Sequence, residues 1–318
     1  MHVATTPSWV RALGSVVRRM PRGRYRVVSS LRSSTPPFIA TLGRDAGGAL
    51  FECDLADEIA REVCLTGCYE PPVTRLLQRR LRGGASMIDV GANWGYFTLL
   101  AAAAVGPAGS VVALEPDPRQ FARLASNARL NNFTHVTPVM KAAAAGAGSA
   151  VLLGYAEGAG NRGVSRLAVT GDRRPTTDDR RPTTDQRPAT GDFDVECVTV
   201  DAIAAHLRRV DVVKIDVEGA EGDVLHGMRD GLAAQKYRAI VLELHPAPLR
   251  DRGVSADVCV RAIQDAGYRG WTIDQSPRTY RSAADPRIAS GDLVRPLDRW
   301  REQPWPHLLW LAPGEDLA

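Results

Sequence analysis

From residue 85 onward, short runs of β-branched and apolar residues alternate with segments of helical spacing, the pattern of a parallel sheet with crossover helices. The runs predict strands at Met87 to Val90, Ser110 to Glu115, Val136 to Lys141, Val210 to Asp216, Ala239 to His245, Tyr268 to Ile273 and His307 to Leu311. Several are apolar on both faces, as strands covered by helices on two sides must be. Segments beginning near Trp94, Arg119, Val200, Ala220 and Ser255 read as the intervening helices. The expected class is α/β, with a doubly wound, mostly parallel, seven-stranded sheet.

Ahead of the first strand, residues 55 to 82 read as one or two helices broken at Gly67 and at Pro71 and Pro72, since proline cannot continue a helix from within. The expected organisation is an N-terminal extension (1–50), a helical cap (51–84) and the main domain (85–318). In the extension, Arg11, Arg18 and Arg19 interleave with Trp9, Val10, Leu13, Val16, Val17 and Met20, which suits an amphipathic helix and not a secretory signal. Such a helix packs on the chain's own core or on a second copy, as in a homodimer; the alternatives are a membrane surface or an anionic partner. Ala150 to Tyr155 and Val164 to Val169 suit a hairpin about Gly158, Gly160 and Gly163. Residues 170–192 carry RRPTT at 173–177 and again at 180–184, with five Arg against five Asp and no large apolar side chain before Phe193. A disordered insertion is expected there, either inert or folding over a substrate.

A chain of 318 residues, 44% hydrophobic and 24% charged, can bury a substantial core, and no apolar run approaches the roughly 20 residues needed to cross a bilayer. Five scattered cysteines argue for free thiols and a reducing, cytoplasmic setting. The net charge of +4 comes from basic residues mixed with 36 acidic ones, which argues against a nucleic-acid partner.

Three stretches carry chemistry. The first is DVGANWG at 89–95, a glycine loop joining a predicted strand to a predicted helix. Gly91 and Gly95 let the backbone turn sharply and approach a ligand, while the helix start presents free N–H groups. Asn93 breaks the G-x-G-x-x-G spacing of dinucleotide sites, and Asp89 would repel a pyrophosphate but attract a cationic group. Glu115 ends the next strand, where a carboxylate suits two ribose hydroxyls. The second is DVVKIDVEGAEGDVL at 211–225: Lys214 and Asp216 share one strand face, with Asp216 at the carboxyl end. Glu218 and Glu221 follow at a helix start, where capping alone accounts for them. The third is VLELHP at 241–246, in which Glu243 and His245 share a face and end beside Asp216 if the two strands are neighbours.

With TGCYEP at 66–71, LEPDP at 114–118 and NARLNN at 127–132, these stretches resemble the FkbM-like family of S-adenosylmethionine-dependent methyltransferases over roughly residues 55 to 250. The resemblance implies a class I methyltransferase, Rossmann-like fold. It implies donor contacts at Asp89, Gly91, Asn93, Gly95, Tyr96, Glu115 and Ala142, with Tyr69 and Glu70 closing over the donor from the cap. Asn127 and Asn131 suit a structural role at a helix end better than substrate contact.

The expected reaction is O-methylation of a small-molecule hydroxyl, on a sugar or a natural product. His245 suits a general base, oriented by Asp216 or Glu243, with Lys214 on the same strand; alternatively Asp216, Glu243 and His245 hold a magnesium-like ion that lowers the hydroxyl pKa. The rival classes are an RNA or protein methyltransferase and an inactive donor-binding protein.

Overall fold

Ser86–Val90 is buried along its whole length, and the chain builds outward from it on both sides. The strands of this sheet are β1 (Ser86–Val90), β2 (Ser110–Leu114), β3 (Val136–Val139), β4 (Val212–Ile215), β5 (Ala239–Glu243), β6 (Arg269–Ile273), β7 (Val294–Pro296) and β8 (His307–Leu311). In the computed structural model they lie in the order β7-β6-β8-β5-β4-β1-β2-β3. The structure describes residues 4–20, 23–31, 33–43, 47–154, 166–167, 192–283, 285 and 287–317.

Strands β3, β2, β1, β4 and β5 run parallel; β8 is antiparallel to both β5 and β6, and β7 closes the edge antiparallel to β6. This is the expected doubly wound, mostly parallel sheet, with all seven expected strands and an eighth. The extra strand, β7, is three residues long and ends in Pro296, which is tolerated only at an edge. The winding reverses between β1 and β4, so a crevice opens there at the carboxyl ends.

Helix Tyr96–Val105 is apolar on nearly every face because it lies in the core, where an all-round apolar helix belongs. Helix Pro71–Arg80 of the cap packs on it, and helix Glu58–Thr66 packs on the N-terminal helix Ser8–Arg19. The cap is tied to the far end of the chain: Arg75 Nε donates to the Ala283 carbonyl at 2.7 Å and Arg80 Nη1 to that of Asp316 at 2.9 Å.

The N-terminal helix, Ser8–Arg19, buries Val10, Gly14 and Val17 in the same core as Val63, Leu65 and Leu77, so that face packs within the chain. Phe38–Thr41 and Leu50–Cys53 pair antiparallel, with Ala4–Thr5 joining Phe38–Thr41 in parallel. These strands were not expected from their mixed sequence. They are fastened to helix Pro118–Leu130 by two asparagines: Glu52 N donates to Asn127 Oδ1 at 2.9 Å, and Asn127 Nδ2 to the Trp94 carbonyl at 2.9 Å. Asn131 bonds both the N–H and the carbonyl of Leu50, at 2.7 Å each. The two residues act structurally, as their spacing suggests.

A second sheet forms beside the crevice. Gly148–Leu153 pairs antiparallel with Arg166–Leu167, as the hairpin reading expects, and also with Phe193–Val198, a strand not foreseen. The glycine turn of the hairpin and the repeat at 170–191 lie outside the described residues. Five described cysteines are free thiols, and no described helix is long and apolar enough to cross a membrane.

Because Asn127 is fully buried and joins three segments, its replacement strands a backbone donor and a carbonyl. Asn127→Ala is expected to cost about 1–3 kcal/mol. Urea unfolding followed by circular dichroism checks this, and an unshifted midpoint would show that the fastening contributes nothing.

Candidate active site

The crevice holds a cavity of about 350 Å³ lined by both halves of the switch point. On the β1 side, Gly91 has φ 78° and Asn93 φ 52°, so the glycine loop runs through left-handed backbone that few side chains accept. A Cβ on Gly91 would come to 1.8 Å from the carbonyl oxygen of Asp216, so the two strand ends could not approach as they do with any other residue there. Glu115 braces the loop: it accepts the N–H of Asn93 at 2.8 Å and that of Asp117 at 2.9 Å. Burial pushes its carboxyl up to about 7 against the pull of these two donors.

Asp89 stands behind this wall. Thr98 Oγ1 donates to its Oδ2 at 2.6 Å, its Oδ1 has no hydrogen-bond partner among the described residues, and Lys214 lies beside it in register on β4. Burial raises the Asp89 carboxyl, with Lys214 opposing. Lys214 Nζ reaches Asp216 Oδ2 at 3.1 Å and sits 4.7 Å from the centre of the Phe97 ring. Burial opposes its charge, yet Asp216 and Asp89 outweigh that and hold the lysine above its ordinary value.

The β4 and β5 ends converge on His245. Its Nδ1 lies 2.6 Å from Glu221 Oε1, and its Nε2 lies 3.5 Å from Glu218, 3.6 Å from Glu243 and 4.0 Å from Asp216. Glu221 is completely buried and also accepts the N–H of Gly219 at 3.1 Å, which sets its carboxylate against the imidazole. Burial works against a proton on His245, but the bond to Glu221 and the carboxylates of Asp216 and Glu218 push its pKa up to about 9. Glu218 is raised by burial to about 7, and Asp216, despite burial, is lowered by Lys214 and His245.

Beyond Glu243 stands a second imidazole. His307 opens β8, and because that strand runs against β5 its first residue pairs with the last residue of β5, Glu243. His307 Nε2 lies 3.1 Å from Glu243 Oε2 and 3.4 Å from Glu70 Oε1.

Of the residues expected from sequence, Gly91, Asn93, Glu115, Ala142, Asp216, Glu243 and His245 line the cavity. Asp89, Lys214, Gly95, Tyr96 and Glu70 do not. Gly95, at φ 91°, caps helix Tyr96–Val105, and a Cβ on it would come 2.6 Å from Leu124. The Tyr96 hydroxyl meets Thr74 Oγ1 at 3.2 Å and Cys68. Tyr69 lines the cavity from the cap. Glu218 and Glu221, which looked like helix-start acids, belong to the histidine cluster, and His307 was missed.

A family model described as the methyltransferase FkbM domain matches residues 89–269, more than half of the chain. The chain belongs to this family. Membership and fold together make it an S-adenosylmethionine-dependent methyltransferase. Among solved structures it is similar to methyltransferase FkbM from Methylobacillus flagellatus at 13% identity, covering 90% of this chain and 57% of that one, with a TM-score of 0.41. It is likewise similar to a SAM-dependent O-methyltransferase from Thermotoga maritima at 12% identity, covering 78% and 67%, with a TM-score of 0.37. None of the curated proteins matches it.

The donor half fits such a cofactor: a braced carboxylate and a bare glycine turn face the cavity, and the buried Asp89 behind them retains an oxygen without a bond. Glu115→Ala, which removes the carboxylate facing the cavity, is expected to weaken donor binding roughly tenfold or more, the worth of a hydrogen bond to a charged group, and Asp89→Ala, whose carboxylate does not line the cavity, to weaken it less. Calorimetry with S-adenosylmethionine measures this; unchanged affinity in both variants would remove these carboxylates from the donor site.

Proposed function

We propose that the protein methylates a hydroxyl group of a small molecule, such as a sugar or a natural product, and that Asp216, Glu218 and His245 hold a divalent cation beside the reacting oxygen. One observation carries this: three carboxylates, Asp216, Glu218 and Glu243, face the Nε2 edge of a single imidazole within 4.0 Å, in the cavity that also holds Glu115 and the glycine loop. Like charges gathered at one buried point are costly unless a cation joins them. Glu221 supports the same reading, since a carboxylate on Nδ1 that turns Nε2 toward the other ligands is the usual outer partner of a metal-binding histidine.

When bound, S-adenosylmethionine supplies an electrophilic methyl group. The chain's own residues do the remaining work. Glu115 and the glycine loop fix one end of the cavity, and Asp216, Glu218 and His245 fix the other, so the acceptor is aligned by position before any bond changes. Asp216, Glu218 and His245 would hold the cation, which would supply Lewis acidity to lower the pKa of a hydroxyl beside them. Leu152, Leu167, Ile59 and Trp305 form apolar walls that favour a small acceptor with carbon skeleton exposed between its hydroxyls.

Asp216→Asn and His245→Ala are expected to lower turnover by about two orders of magnitude or more while donor affinity stays within a few-fold. Chelation is expected to abolish methyl transfer, and magnesium or manganese to restore it. Activity indifferent to a chelator would leave His245 as a base without metal, and full turnover in both variants would remove the cluster from the reaction. A panel of hydroxylated acceptors, scored by transfer of labelled methyl, tests the acceptor class.

A further inference from the structure

The reading of Asp216, Glu218 and His245 as a cation site leaves Glu70 and His307 unused, with Glu243 facing both imidazoles. We propose that these three hold a second divalent cation, sharing Glu243 with the first, so that the strand ends carry a two-metal centre. The inference rests on the first site and extends it into the cap.

The two histidines are arranged alike. His307 Nδ1 lies 3.2 Å from the carbonyl oxygen of Trp305, an acceptor that fixes the ring proton on that nitrogen, and its Nε2 is turned to carboxylate oxygens of Glu243 and Glu70. His245 repeats this with Glu221 on Nδ1 and carboxylates at Nε2. Between them Glu243 presents one oxygen to each ring, Oε1 to His245 and Oε2 to His307, as a bridging ligand would. The donor atoms of Glu70, Glu243 and His307 lie within 4.8 Å of one another, and so do those of Asp216, Glu218 and His245.

Glu70 supplies the independent observation. It is 6% exposed, and its Oε2 has no hydrogen-bond partner among the described residues. Its backbone sits at φ 41°, a left-handed conformation that disfavours glutamate and is maintained at the start of helix Pro71–Arg80. A buried carboxylate with a spare oxygen, on a strained residue, beside an imidazole and a second carboxylate, is a ligand set in search of a cation.

One imidazole nitrogen with carboxylate oxygens in each site suits manganese or a similar transition ion better than magnesium or calcium, which favour oxygen alone. Because Glu70 belongs to the cap, the second ion fastens the cap to the sheet ends beside the cavity.

The test is manganese binding to the full-length protein after chelator treatment and dialysis, counted by calorimetry and read by electron paramagnetic resonance. Two ions per chain with a spin-coupled spectrum are expected. His307→Ala and Glu70→Gln should each leave one ion and an uncoupled spectrum, Asp216→Asn should also leave one, and Glu243→Gln should weaken both sites at least tenfold. S-adenosylhomocysteine binding at wild-type affinity certifies the fold of each variant, and Glu70→Gln stands in should His307→Ala fail that check. A single ion in the wild type, unaffected by His307→Ala, would overturn the second site and leave the first standing. No manganese bound to protein that still binds S-adenosylhomocysteine would overturn both sites and leave the donor site intact.

Discussion

Everything at the site depends on how closely β1 and β4 end together. The glycine loop turns directly over the last residue of the neighbouring strand, with only a hydrogen atom of Gly91 toward the Asp216 carbonyl. That approach brings the glycine turn and a cluster of acids to opposite sides of one cavity. It also places Asp89 beside Lys214 in the sheet, so the charge of one strand is compensated by the other. A side chain at position 91 would move the two halves apart, and no adjustment elsewhere would restore the alignment that methyl transfer requires.

The fold was largely legible because buried parallel strands write themselves as apolar runs. All seven expected strands formed, several with trimmed ends: Val210, for example, makes only an isolated bridge to Tyr237 before β4 begins. What escaped was short or mixed. Phe193–Val198 alternates apolar and acidic side chains, a period-two signal overshadowed by the adjacent repeat, and Leu50–Cys53, the partner of Phe38–Thr41, is fastened by asparagines far along the chain.

The site was legible where its residues lie at carboxyl ends of parallel strands, as Glu115, Asp216 and Glu243 do. His307 obeys the opposite rule. It begins its strand, and only the reversed direction of β8 carries it to the edge where its neighbours finish. Glu221 was hidden differently, since an acid in the first turn of a helix has a sufficient local explanation. Its complete burial against His245 is visible only in three dimensions. Backbone conformation carries the same message: of five described non-glycine residues with positive φ, three (Glu70, Asn93 and Glu218) surround the site, which marks where the fold accepts strain to aim its groups.

The bond between His307 and Glu70 joins residues separated by 237 positions, and the cap is further held by Ala283 and Asp316. On a ribosome, where a chain lengthens by roughly 5–20 residues each second, the strands on the glycine-loop side of the cavity emerge while the last third is still unmade. The opposite wall waits for the end of the chain. Until β8 has been synthesised and inserted between β5 and β6, Glu243 lacks the imidazole of His307 and Glu70 of the cap lacks its partner 237 positions away. The glycine-loop side of the cavity is therefore made early in synthesis, and the corner formed by Glu70, Glu243 and His307 is among the last parts of it to be completed.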